Sequence, residues 1–150
     1  MFWGCFSYNG TGITKPVEKT LNSSQYIAIL ESCLEVSAEK IENPLSNLIF
    51  MKDNAPCHVS KMMKEYFCKQ NYTVMDWPPQ SPDLNPIENL WSIVKYRLSK
   101  LEIAKKEDLI KNFMSEWKKL EDNQICKNLV DSMPKRVKEV IKNKGGAINY

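Results

Sequence analysis

Residues 48–61 read Leu48-Ile49-Phe50-Met51-Lys52-Asp53-Asn54-Ala55-Pro56-Cys57-His58-Val59-Ser60-Lys61. Four consecutive apolar residues, followed at once by charged and turn-forming ones, describe a strand buried on both faces, as in a parallel or mixed sheet. Ser60 then opens a helix over 60–69 that turns Met62, Met63, Tyr66 and Phe67 inward. A short strand over 72–76 follows. Strand, helix and strand in that order predict a right-handed parallel crossover. The fold class is therefore α/β.

Working outward from this stretch, the aromatic-rich segment 1–8 ends at Asn9-Gly10, a hairpin turn pair, and predicts pairing with a second strand over 12–18. Over 22–36, Tyr26, Ile29, Leu30, Cys33 and Leu34 fall on one helical stripe, and Asn22 and Gln25 have capping-box spacing. Pro44 ends that element. Downstream, 78–86 holds the four prolines Pro78, Pro79, Pro82 and Pro86, which exclude regular structure. Ile87, Leu90, Trp91, Val94 and Leu98 then mark an amphipathic helix. Residues 107–143 read as helix with a break at Met133-Pro134. The predicted order is β-β-α-β-α-β-α followed by helices.

With 150 residues and 43% hydrophobic content, the chain is long enough for one domain with a core. A net charge of +3 selects no partner. Its distribution says more: residues 1–85 hold 7 Lys+Arg against 9 Asp+Glu, and residues 86–150 hold 14 against 9. The basic half suits a polyanion, although its lysines alternate with glutamates as on solvated helix faces. The five cysteines are scattered without a C-x-x-C pair, which points away from a disulfide framework or zinc site and toward a reducing, intracellular setting, cytoplasmic or nuclear. No apolar run reaches membrane-span length, so no membrane partner is expected.

Two carboxylates stand out, and each has an ordinary structural explanation. Asp53 follows the predicted buried strand, at the sheet edge where ligands bind in open α/β folds; it also suits an Asx turn with Asn54. Glu88 falls at N3 of a helix for which Asn85 is the N-cap and Pro86 is N1, a capping-box arrangement that the helix dipole favours. His58, the single histidine, suits a structural hydrogen bond, the orientation of a carboxylate, or a phosphate contact. Lys61 and Lys95 suit phosphate contacts or solvated helix faces, and Trp77 and Trp91 suit the core.

Taken together, DNAPCHVSK (53–61) and WPPQSPDLNPIENLW (77–91) form a long and compositionally unusual pair of strings. From Trp3-Gly4 to about Leu98 the chain resembles the catalytic domain of mariner-superfamily transposases, members of the DDE transposase and integrase group. The resemblance implies an RNase H-like mixed sheet flanked by helices. It assigns residues 1–100 to a partial catalytic domain and 101–150 to a basic helical extension of it.

It further implies that Asp53 and Glu88, separated by 34 residues, are the second and third catalytic carboxylates and ligate Mg²⁺ or Mn²⁺. Asn54, His58, Lys61, Asn89 and Lys95 would support those carboxylates or touch DNA. The implied function is DNA strand cleavage and transfer in transposition and integration, in the nucleus, with DNA and a second copy of the chain as partners.

The pattern also departs from the family. Residues 1–52 contain no aspartate, so the first catalytic Asp and the strand that bears it are expected ahead of Met1, along with a helix-turn-helix region. An N-terminally truncated, weakly active or inactive fragment is the expectation. The alternative is a non-catalytic DNA- or protein-binding module co-opted from a transposase.

Overall fold

The computed structural model describes residues 1–18, 20–42, 44–121 and 123–148. The expected hairpin forms from β1 (Phe2–Ser7) and β2 (Gly10–Pro16), turning at Tyr8 and Asn9. Gly10 enters β2 at φ +136°, a conformation that residues with a Cβ rarely adopt. Thr14 Oγ1, buried, donates to the Trp3 carbonyl at 2.7 Å and ties the base of the hairpin.

The chain divides into two compact units. One comprises Met1–Gly4 and Gly12–Gln80, and the other Cys5–Thr11 and Ser81–Tyr150.

In the first unit, α1 (Ser23–Lys40) carries the expected stripe, with Tyr26, Ile29, Leu30, Cys33 and Leu34 all buried. Its capping box is complete: the Asn22 side chain accepts from Gln25 N, and the Gln25 side chain accepts from Asn22 N. A 3-10 turn, Leu45–Asn47, leads into β3 (Ile49–Phe50). Two helices, α2 (Pro56–Val59) and α3 (Lys61–Phe67), then connect to β4 (Thr73–Val74). β3 and β4 are parallel, with Ile49 opposite Thr73 and Phe50 opposite Val74, so the predicted crossover pairing is present.

Two sequence expectations are corrected here. The 48–51 run is not buried on both faces: Phe50 is 8% exposed but Ile49 is 62% exposed. Among the described residues, the two-residue β3 has only β4 as a neighbour, and one face alone packs, with Phe50 against Phe67 and Tyr72 at 5.9 and 5.8 Å. Met62 is also exposed. The adjacent Met63 takes the buried position on α3, because a short helix with one covered face buries a narrow stripe.

The second unit is helical: α4 (Ile87–Leu98), α5 (Lys106–Lys118), α6 (Asn123–Asp131) and α7 (Met133–Lys142). The expected break at Met133-Pro134 is present, with Pro134 in the first turn of α7, where its missing N–H costs nothing. A second break follows Lys118, where the N–H groups of 119–121 bond back to Ser115, Trp117 and Lys118 and close α5. α4 packs on α5 through Trp91, whose ring stacks on Trp117 at 4.7 Å and approaches Phe113 at 6.0 Å. Leu90, Val94, Leu120 and Cys126 are fully buried beside them.

Candidate functional site

β3 delivers the chain to Asp53 in an irregular segment, 51–55. One oxygen of its carboxylate is committed: Asp53 Oδ1 accepts from Ala55 N at 3.0 Å, an Asx turn, and lies 2.6 Å from His58 Nδ1. The other oxygen, Oδ2, has no hydrogen-bond partner among the described residues, and the side chain is half exposed. His58 is itself fixed from above, its ring 4.1 Å from that of Tyr26 on α1. Burial, with the Asp53 charge second, pushes the Tyr26 hydroxyl well above the usual tyrosine range. Tyr26 is therefore a neutral platform for the imidazole.

The start of α1 also holds α2 in place. Ser23 Oγ donates to the Cys57 carbonyl at 3.0 Å, and Ser60 Oγ donates to Ser23 Oγ at 2.8 Å. Burial raises the Cys57 thiol above the ordinary cysteine value, so this thiol stays protonated. Asn54 faces a different neighbour: its Nδ2 donates to the Trp77 carbonyl at 2.7 Å and anchors the entry to the proline-rich loop. Lys52 is drawn over the Phe67 ring at 5.7 Å, and partial burial lowers its ammonium. Lys61 is exposed and, among the described residues, pairs only with Glu65 along its own helix, a contact of small energetic weight.

In the second unit, Glu88 lies in the first turn of α4, exposed, with no hydrogen bond or ion pair to its carboxylate among the described residues. The capping box expected from Asn85-Pro86-Ile87-Glu88 is absent. The N-cap is Pro86, in αR conformation at φ −70° and ψ −15°, and no side chain caps the helix. Asn85 is buried with its Oδ1 unpartnered, so it does not close the cap either. The physical reason is backbone geometry: an N-cap needs an extended residue, and here Pro86 already follows the helical path.

Glu88 is thus free of the structural duty that its position suggests. Asn89, beside it, is engaged, its Oδ1 accepting from Arg136 Nη2 at 2.9 Å. Lys95 projects into solvent. Arg136 was not expected from the sequence, where α7 offered only a basic amphipathic pattern. One signal was available: the chain has two arginines, Arg97 and Arg136, against 19 lysines. A planar guanidinium in a lysine-rich chain marks a site that needs a fixed fork of donors.

Among the described residues, no group of three or more His, Cys, Asp or Glu side chains is arranged to hold a metal ion. Asp53 and Glu88 nevertheless each present carboxylate oxygen that the fold does not use, the hard donor type that Mg²⁺ and Mn²⁺ select. No helix among the described residues is long and apolar enough to cross a membrane.

A family model described as DDE superfamily endonuclease matches residues 2–110. The Tc3 transposase of Caenorhabditis elegans is 37% identical over 153 residues, covering 100% of this chain and 45% of that protein. The Tc1 transposase of the same organism is 33% identical over 150 residues, covering 100% of this chain and 54% of that protein. The chain therefore spans about half the length of these curated relatives. In fold it is similar to the Mos1 mariner paired-end complex with Mn, the transposase of Drosophila mauritiana, with a TM-score of 0.88 at 20% identity, covering 99% of this chain and 44% of that one. On the strength of the family match and these transposase relatives, the chain belongs to the DDE superfamily endonucleases, as a Tc1/mariner-type member with an RNase H-like α/β fold.

Proposed function

We propose that this chain is the endonuclease portion of a DNA transposase, and that Asp53 and Glu88 each serve as a ligand to a catalytic divalent metal, Mg²⁺ or Mn²⁺. One observation carries the reading: at the two motif positions the fold leaves carboxylate oxygen uncommitted, even where a cap would have consumed it. When bound, such metals activate the attacking water or 3′-hydroxyl and stabilise the leaving oxygen.

The chain's own residues set up these ligands. The Ala55 N–H and the His58 imidazole hold Oδ1 of Asp53, which fixes the direction of Oδ2. Glu88 stands in the first turn of α4, at the positive end of that helix's dipole. Asn54 holds the Trp77 carbonyl at the start of the proline-rich loop.

DNA is the substrate in this reading, with the lysine-rich 86–150 region, including Lys95, and the exposed Lys61 contributing phosphate attraction. A second copy of the chain is the expected partner, since the similar Mos1 structure is a paired-end complex. The five free thiols suit a reducing compartment such as the nucleus.

The test is a supercoiled-plasmid nicking assay in Mg²⁺ and in Mn²⁺, with Asp53→Asn and Glu88→Gln as controls. Because residues 1–52 supply no aspartate, the 150-residue chain is expected to nick slowly or not at all. Robust nicking that both substitutions abolish would show that these two carboxylates suffice and would overturn that expectation. DNA affinity that falls steeply with salt and ignores both substitutions, with no metal bound, would favour a non-catalytic binding module.

A further inference from the structure

The start of α4 has no side-chain cap, yet it carries a residue whose position matters to within a fraction of an ångström if it binds metal. What holds it is a buried guanidinium. Arg136 on α7 is 2% exposed. Its Nη1 donates to the Asp83 carbonyl at 2.9 Å, and its Nη2 donates to Asn89 Oδ1 at 2.9 Å. These two acceptors lie on either side of Glu88 in sequence, one in the proline-rich loop and one in the first helical turn.

The fork is itself braced. Arg136 Nε donates to Ser132 Oγ at 2.9 Å, and Ser132 Oγ donates to the Leu129 carbonyl at 2.6 Å. The loop is gripped again from its other side, where Ile148 N donates to Asp83 Oδ2 at 2.9 Å while Leu84 N donates to Oδ1 at 3.0 Å.

We propose that Arg136 is a positioning residue for Glu88, a latch by which the C-terminal helices fix the loop-to-helix junction on which Glu88 stands. The inference rests on the reading of Glu88 as a metal ligand. It assigns a task to the 101–150 region beyond polyanion attraction. Lysine cannot substitute, because a single ammonium does not present two parallel donors in a fixed plane.

The experiment uses the full 150-residue chain with Arg136→Lys and Asn89→Ala, each made alone and on a Glu88→Gln background. Two quantities are read: hydrogen exchange of the Glu88 and Asn89 amides, and Mn²⁺ affinity by water-proton relaxation. The Glu88 and Asn89 amides are bonded to the Asn85 and Pro86 carbonyls at 3.1 and 3.2 Å, so they report the first turn directly.

Both variants should speed exchange at these two amides about tenfold or more, while exchange in α5 stays unchanged, and should weaken Mn²⁺ binding about tenfold. On the Glu88→Gln background neither variant should weaken Mn²⁺ binding further. Exchange that rises uniformly through α4 and α5, or an Mn²⁺ loss that persists without Glu88, overturns the latch. If Glu88→Gln alone leaves Mn²⁺ behaviour unchanged, the ligand reading of Glu88 has failed, and the exchange arm still reports separately whether Arg136 orders the junction. Asn89→Ala keeps the buried charge in place and serves if Arg136→Lys does not fold.

Discussion

His58 Nδ1 lies 2.6 Å from Asp53 Oδ1, so the chain's single histidine holds one oxygen of the carboxylate that ends the β3 segment. The same oxygen accepts the Ala55 amide. Asparagine at position 53 retains an Oδ1 for both contacts. Asp53→Asn is therefore expected to change folding stability by less than about 1 kcal/mol. His58→Ala loses the carboxylate contact and the ring packing on Tyr26 together, and should cost about 1–3 kcal/mol in urea denaturation. Equal costs for the two substitutions would show that the contact is not selective for the imidazole.

Helix starts give a second contrast. Asn22 forms a complete capping box with Gln25, whereas Glu88 caps nothing. Asn22→Ala should destabilise the chain by about 1 kcal/mol. Glu88→Gln should lose only a favourable dipole interaction, less than about 1 kcal/mol. Chemical denaturation of both variants at one pH checks the pair. A large cost at Glu88 would mean that its side chain has a structural partner.

Glu116 supplies the acid limb of stability. A hydrogen bond from Lys119, aided by Arg97, holds its carboxyl below the ordinary glutamate range. The folded state therefore binds this proton less readily than the unfolded chain. The contribution is fully present above the unfolded value, near pH 4.3, and is lost as pH falls through the lower folded value. Glu116→Gln should flatten the dependence of the urea midpoint on pH below about 4.5 and leave its shape above pH 6 unaltered.

The Trp91–Trp117 stack is the centre of the helical unit, with Trp117 only 2% exposed. Trp117→Ala should cost about 3–5 kcal/mol, and Trp117→Phe distinctly less, because a ring still fills the space beside Phe113. Thermal melts followed by circular dichroism at 222 nm give both values.

What could be read from the chain follows from how local each signal is. Asn22 and Gln25 lie three residues apart on an uninterrupted helical stripe, and their box formed as read. Pro134 marked a helix start for the same reason. The 48–51 run was misread as buried on both faces because apolarity reports composition, while burial depends on what lies across the strand. At Glu88 the motif Asn-Pro-Ile-Glu left a cap and a metal ligand equally open, because it satisfies capping chemistry on paper, and only the backbone angles at Pro86 exclude the cap. Arg136 lies 47 residues from Asn89, and no local pattern encodes a contact at that range. The candidate site was legible as motifs, and so was a carboxylate-orienting role for His58; the Arg136 contact was not.

The reading of Asp53 and Glu88 as metal ligands underlies every step proposed above. Mn²⁺ titration of the 150-residue chain, read by water-proton relaxation, tests it without requiring turnover. Measurable Mn²⁺ binding is expected, which Asp53→Asn and Glu88→Gln each weaken about tenfold or more, with circular dichroism unchanged. Binding that is identical in the parent chain and in both variants would contradict it.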